Sequence, residues 1–170
     1  KFLHGLDEKT DFELISVQGG QKDNAITREA TAEILVLEEN ADAVREYAAS
    51  VQGAWREEYA GTDEGITVTV EDEGKQEVRV LHPTSKEKVI FFLVNVPYGV
   101  QKMSGTIKGL VETSTNIGIL KTSENEVMGS CSIRSSVETA RDSLSDKIAY
   151  LTEFLGGEHE RQGVSPAWEH

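Results

Sequence analysis

The chain has 170 residues, 38% of them hydrophobic, a formal net charge of −13 and a pI near 4.7. That length supports one sizeable core or two small ones, and the acidity argues against a nucleic-acid partner, whose phosphates need clustered Lys and Arg. A single cysteine, Cys131, leaves no internal disulfide and fits a reducing compartment, and no apolar run is long enough to suggest a membrane span.

Lys1-Phe2-Leu3-His4-Gly5-Leu6 opens the chain without Met and without a basic-then-apolar leader. It reads as the last turns of an amphipathic helix, as in a segment cut from a longer protein. Phe12 to Val17 alternates as a strand closed by Gly19-Gly20, and Glu29 to Leu37 gives a second strand. Asn40 is placed to cap a helix to about Tyr59, whose apolar stripe is Ala41, Val44, Ala48, Val51 and Trp55. Ile66 to Val70 is β-branched and predicts a third strand.

Residues 71–83 read as a charged connector with one short alternation at Val78-Arg79-Val80. Its Glu71-Asp72-Glu73-Gly74 run lacks the alternating ligands of a calcium loop. Thr84-Ser85-Lys86-Glu87 has the form of a capping box, so the apolar run Val89 to Val94 is read as a helix ended by Pro97. Leu110 to Lys121 and Asn125 to Ile133 are strands around a turn. Ser135-Ser136-Val137-Glu138 is a second capping box, opening a helix with Val137, Ala140, Leu144, Ile148 and Leu151 on its buried face. Gly156-Gly157 stops it, and Glu158 to Val164 is expected as a last strand.

The two halves therefore share an order of strand, capped helix, glycine and strand. The fold class expected is α+β: an antiparallel sheet with helices packed on one face, in two related β-β-α-β units. Residues 1–80 form the first unit and 100–165 the second, with 81–99 a connector carrying a helix.

The four histidines, His4, His82, His159 and His170, form no recognisable zinc spacing with one another or with Cys or carboxylates. Neither a Ser-His-Asp set nor a phosphate loop can be read. Cys131, in an alternating strand, reads as a small buried hydrophobe. Arg134 ends an apolar strand just before a helix, where a guanidinium can meet a carboxylate through two parallel hydrogen bonds; a surface ion pair is the plainer reading. Asn24, after Gly19-Gly20, and Asn116 suit either a turn or contact with a peptide group.

Three segments, Gly19-Gly20-Gln21-Lys22-Asp23-Asn24-Ala25-Ile26-Thr27-Arg28-Glu29-Ala30, Val111 to Gly118, and Cys131-Ser132-Ile133-Arg134-Ser135-Ser136, occur in an order and at separations that are informative together. The set resembles the lid domain of bacterial aminoacyl-histidine dipeptidases, within the dinuclear-zinc exopeptidases. The resemblance runs from about Phe12 to Trp168. It implies a cytoplasmic metallo-dipeptidase acting on Xaa-His-type dipeptides, in which a zinc-bridged water attacks the scissile carbonyl and a glutamate takes its proton. It also implies that the two zinc ions and the general base belong to a separate catalytic domain of the same chain. This segment then holds no metal or catalytic residue, and alone it is inactive.

On that resemblance Arg134 binds the free carboxylate of the dipeptide, Asn24 orients its backbone, and Asn116 also contacts substrate. Pairing of two copies to a homodimer fits the wider family. Thr27 stands where the family has Pro, and Pro166-Ala167-Trp168 stands for Pro-Gly-Trp; neither touches Arg134 or Asn24. From fold alone, a stand-alone ferredoxin-like small-molecule-binding or dimerisation module stays open.

Overall fold

A computed structural model describes residues 1–20, 28–63 and 65–161. The elements run α1 (Phe2–Lys9), β1 (Glu13–Gly19), β2 (Ala30–Leu35), α2 (Ala41–Glu58), α3 (Pro83–Asn95), β3 (Gly99–Met103), β4 (Val111–Thr122), β5 (Val127–Ser135) and α4 (Glu138–Phe154), with a short 3-10 turn at Glu38–Asn40 before α2. The fold is α+β. Its five strands form an antiparallel sheet in the order β2-β1-β4-β3, with β5 also on β4. The chain divides into two compact units, residues 1–15 with 33–86 and residues 16–32 with 87–170.

The second unit is organised by β4. β5 pairs with it from Thr113↔Ser135 to Thr122↔Val127, and β3 pairs with it from Gly99↔Thr115 to Met103↔Val111. A one-residue bulge falls between Ile117 and Ile119, where β5 advances only from Cys131 to Ser130. At the far end Gly19 of β1 pairs with Leu120, and the Thr122 hydroxyl both donates to the Val17 carbonyl and accepts from its N–H, at 3.0 and 2.9 Å.

α4 buries Leu144 and Ile148, while Ala140 and Leu151 are half-buried, as the expected stripe has them; Val137, also expected on that face, is exposed because it precedes the first turn of the helix. Burial of two such side chains contributes about 1.5–3 kcal/mol each. Thr113 and Ser135, opposite each other on β4 and β5, are buried and share a hydroxyl–hydroxyl bond of 2.9 Å. The Ser135 hydroxyl also meets the Val137 N–H and carbonyl, tying strand to helix. Ser135 thus makes the turn its capping motif promised, although the helix begins at Glu138 behind Val137, which has no side-chain cap.

Two expected strands, 66–70 and the described part of 158–164, are not strands. Residues 66–70 are irregular because their backbone groups go to side chains of α2: the Val68 N–H donates to Gln52 Oε1 at 2.8 Å, and Arg56 Nε donates to the Ile66 carbonyl at 2.7 Å. The 78–80 stretch is likewise irregular, and residues 158–161 are extended without a ladder; 162–164 lie outside the described residues. β3, at the start of the second unit, stands where the sequence pattern predicted no element. α3 starts one residue before its capping box, at Pro83, a position that tolerates the missing N–H. His82 caps it, its Nδ1 accepting from the Thr84 N–H at 3.2 Å.

In the first unit α1 crosses α2. Leu6 is fully buried, with Phe12, Leu14, Val44, Ala48 and Val51. Lys86 is mostly buried, yet each of its contacts is favourable: Nζ reaches Asp7 Oδ1 at 2.9 Å and the Phe12 carbonyl at 2.6 Å, and lies 3.9 Å from the centre of the Phe12 ring. The Tyr47 ring sits 5.0 Å from Phe2, and its hydroxyl donates to the Phe2 carbonyl at 3.1 Å. Burial, with Glu8 adding to it, raises the Tyr47 pKa above the ordinary tyrosine value, so the hydroxyl stays a donor.

Gly5 in α1 lies directly beneath that hydroxyl, and a methyl group there would collide with it. Gly→Ala inside a helix ordinarily gains about 1 kcal/mol. Here the Tyr47 hydrogen bond and ring contact, about 0.5–1.5 kcal/mol each, would be lost or strained. Gly5→Ala should therefore lower the melting temperature by a few degrees, and less so in a Tyr47→Phe background. A rise in Tm for Gly5→Ala alone would contradict this packing.

Candidate binding site

The ladder of the second unit sets side chains in rows across three strands. Val100 pairs with Ser114, and Ser114 pairs with Arg134. One step along, Asn116 pairs with Ser132, and Tyr98 precedes the Gly99↔Thr115 pair. Because side chains alternate faces with period two, Val100, Ser114, Asn116, Ser132 and Arg134 share one sheet face. Ser135 and Thr113, tied to the start of α4, occupy the other. Gly99, at φ +85°, takes the left-handed turn by which the chain leaves Tyr98 and enters β3.

These rows line an open depression of about 370 Å³, bordered by Tyr98, Gly99, Val100, Val111, Ser114, Thr115, Asn116, Ser132 and Arg134. Its chemistry is divided. Arg134, Asn116, Ser114 and Ser132 supply donors and acceptors, whereas Tyr98, Val100 and Val111 expose apolar surface. Among the described residues Arg134 is the only charged one of the lining. Although the protein carries 30 acidic residues, Arg134 makes no ion pair among the described residues. An exposed guanidinium of this kind has the geometry to meet a carboxylate through two parallel hydrogen bonds.

Arg134 and Asn116 are thus brought to the same depression from neighbouring strands. Arg134 lies within β5 rather than after it, with α4 beginning four residues later, so the sheet register fixes its position. Asn24 lies outside the described residues. Ser114, Ser132, Tyr98 and Val100 were not anticipated. The alternation Ser114-x-Asn116 and Ser132-x-Arg134 carried the signal for the two serines, but only the pairing of β3 brings Val100 and Tyr98 alongside. Cys131 is half-buried on β5, and desolvation raises its thiol pKa above the ordinary cysteine value, which suits the inert role expected of it. Among the described residues no three His, Cys, Asp or Glu side chains gather as a metal site, and no helix is long and apolar enough to cross a membrane.

An antiparallel sheet with helices, bearing one depression lined by Arg134 and Asn116, is the class of domain that this geometry defines. Its relatives are dipeptidases. The chain is 30% identical over 169 residues to the cytosol non-specific dipeptidase of Escherichia coli, a match that takes in 99% of this chain and 35% of that protein. It superposes with a TM-score of 0.85 and 32% identity on the crystal structure of the aminoacylhistidine dipeptidase from Vibrio alginolyticus, covering 91% of this chain and 31% of that one. The chain thus spans about a third of the length of these relatives and corresponds to one domain of them. No protein-family model matches it.

Since Arg134 is exposed and supports little of the core, Arg134→Ala should change unfolding free energy by no more than about 0.5 kcal/mol. Thermal and urea melts of the two proteins measure this. A loss well above that would make Arg134 a structural residue.

Proposed function

We propose that this chain is the lid of a zinc-dependent dipeptidase, closing over the active site and holding the carboxylate of an Xaa-His-type dipeptide. The observation that carries the reading is Arg134: a guanidinium without an ion pair among the described residues, beside Asn116 on a sheet related to dipeptidases. Arg134 would engage the carboxylate with two hydrogen bonds, and Asn116 would offer an amide that donates and accepts to the adjoining peptide group. Asn24 joins them on the strength of the family motif. Such a clamp restricts length, because a longer peptide places its carboxylate beyond reach.

The partners in this reading are the dipeptide and the catalytic domain of the same chain, in a cytoplasmic enzyme. In this reading the zinc ions and the general base belong to that catalytic domain. Residues 1–80 and 100–165 as related units, joined through 81–99, remain part of the proposal.

The carboxylate role predicts a substrate-dependent effect. In the full-length enzyme, Arg134→Ala should lower kcat/KM on a dipeptide by about 30- to 1000-fold, from a charge-assisted contact worth roughly 2–4 kcal/mol in a closed site. The same variant should barely change the already poor turnover of the C-terminal amide, and Arg134→Lys should recover only part of the loss. Equal losses on acid and amide would sink the carboxylate clamp.

The isolated chain should hydrolyse no dipeptide and bind no zinc with sub-micromolar affinity, as read by calorimetry beside a hydrolysis assay. Stoichiometric tight zinc or turnover on the fragment would refute the division of labour. Light scattering on the same sample decides the homodimer: a dimer mass adds a second copy to the partners, and a monomer mass removes it.

A further inference from the structure

The depression around Arg134 has a second half that a carboxylate leaves unused. Tyr98, Val100 and Val111 are 54%, 56% and 40% exposed, and together they put apolar surface beside the polar rows. They come from the end of the α3–β3 connection and from the neighbouring edges of β3 and β4, and the ladder holds them against the polar rows. Val100 lies in the same row as Arg134, one strand beyond Ser114. Tyr98 flanks the row of Asn116 and Ser132. The volume, about 370 Å³, lies at the small end of the range for ligand sites, so a charged group and one attached side chain fill it.

A ligand that satisfies both halves carries a carboxylate and, close to it, an apolar or flat side chain. We infer that Tyr98, with Val100 and Val111, is the specificity wall for the side chain of the residue whose carboxylate Arg134 holds, and that the site favours a planar ring there, imidazole or phenyl, over glycine. This rests on the carboxylate reading above and extends it from charge to side chain. The physical basis is the removal of exposed ring and branched surface from water, together with the offset or edge-to-face contact that an aromatic pair prefers. Tyr98 does this without a catalytic part: it would touch the substrate side chain and not the reacting atoms.

The prediction is a change in discrimination rather than in rate alone. In the full-length enzyme, the ratio of kcat/KM for Ala-His or Ala-Phe to that for Ala-Gly should fall about tenfold in Tyr98→Ala, with most of the change in KM. Tyr98→Phe should retain the ratio, because the ring and not the hydroxyl makes the contact. Tyr98 is exposed, so the variants should fold as the parent does, and melts verify that. Binding of N-acetylphenylalanine and N-acetylglycine to the 170-residue chain, followed by NMR shifts of the β3–β5 amides, forms the second arm. Preference for the phenyl compound should be present in the parent and lost in Tyr98→Ala. An unchanged ratio together with unchanged preference overturns the wall while leaving the carboxylate clamp standing. If the enzyme cleaves no dipeptide yet the phenyl preference depends on Tyr98, the dipeptidase reading fails and the wall survives. Absence of any phenyl preference in the parent overturns the wall directly.

Discussion

β4 is paired along both of its edges, and the second unit depends on that arrangement. β5 occupies one edge almost throughout, whereas β3 and the end of β1 divide the other. A strand held in this way has little freedom to slide, since a shift of one residue would exchange the faces of every side chain it carries. Thr113 would leave its bond to Ser135, and Ser114 and Asn116 would turn away from Arg134. The same register that buries the hydroxyl pair beneath the start of α4 exposes the polar rows on the opposite face, so core and site cannot be specified independently.

The distribution of charge gives the site its contrast. In a protein with a net charge of −13, several basic side chains find acidic neighbours: Arg45 meets Asp42 and Asp72, Lys102 meets Glu112, and Arg141 meets Glu138 and Asp142. Exposed pairs of this kind contribute little to stability. Their effect here is selective. They neutralise local charge elsewhere, and among the described residues the lining of the Arg134 depression contains no carboxylate.

Much of this was legible in the sequence because it rests on local periodicity. The stripes Val44-Ala48-Val51 and Leu144-Ile148 locate α2 and α4, and the alternation in 111–121 and 127–133 locates the central hairpin. The expected strand at 66–70 failed for a reason no local pattern contains: Gln52 and Arg56, ten or more residues upstream in the helix, bond to the Val68 N–H and the Ile66 carbonyl. β3 was missed because its five residues are short and mostly exposed, so burial leaves no alternation to read. The site shows the same division. Arg134 and Asn116 were visible through a motif, whereas the contribution of Tyr98 and Val100 exists only once three strands are aligned.

The bulge at Ile117–Ile119 separates the hairpin into two stretches with different obligations. On the side toward β3, the rows that carry Asn116, Ser132 and Arg134 are locked by the third strand and by the Thr113–Ser135 bond. On the other side the strands run out to a turn at Ser123–Glu126 that closes on itself, the Ser123 N–H donating to the Glu126 carbonyl. An irregularity between the two uncouples their spacing, because the extra residue absorbs a change in parity instead of transmitting it. Beyond the bulge the hairpin is held by β1 instead, through Leu120 beside Gly19 and the Thr122 hydroxyl on Val17, so each stretch keeps its own partner strand and its own register.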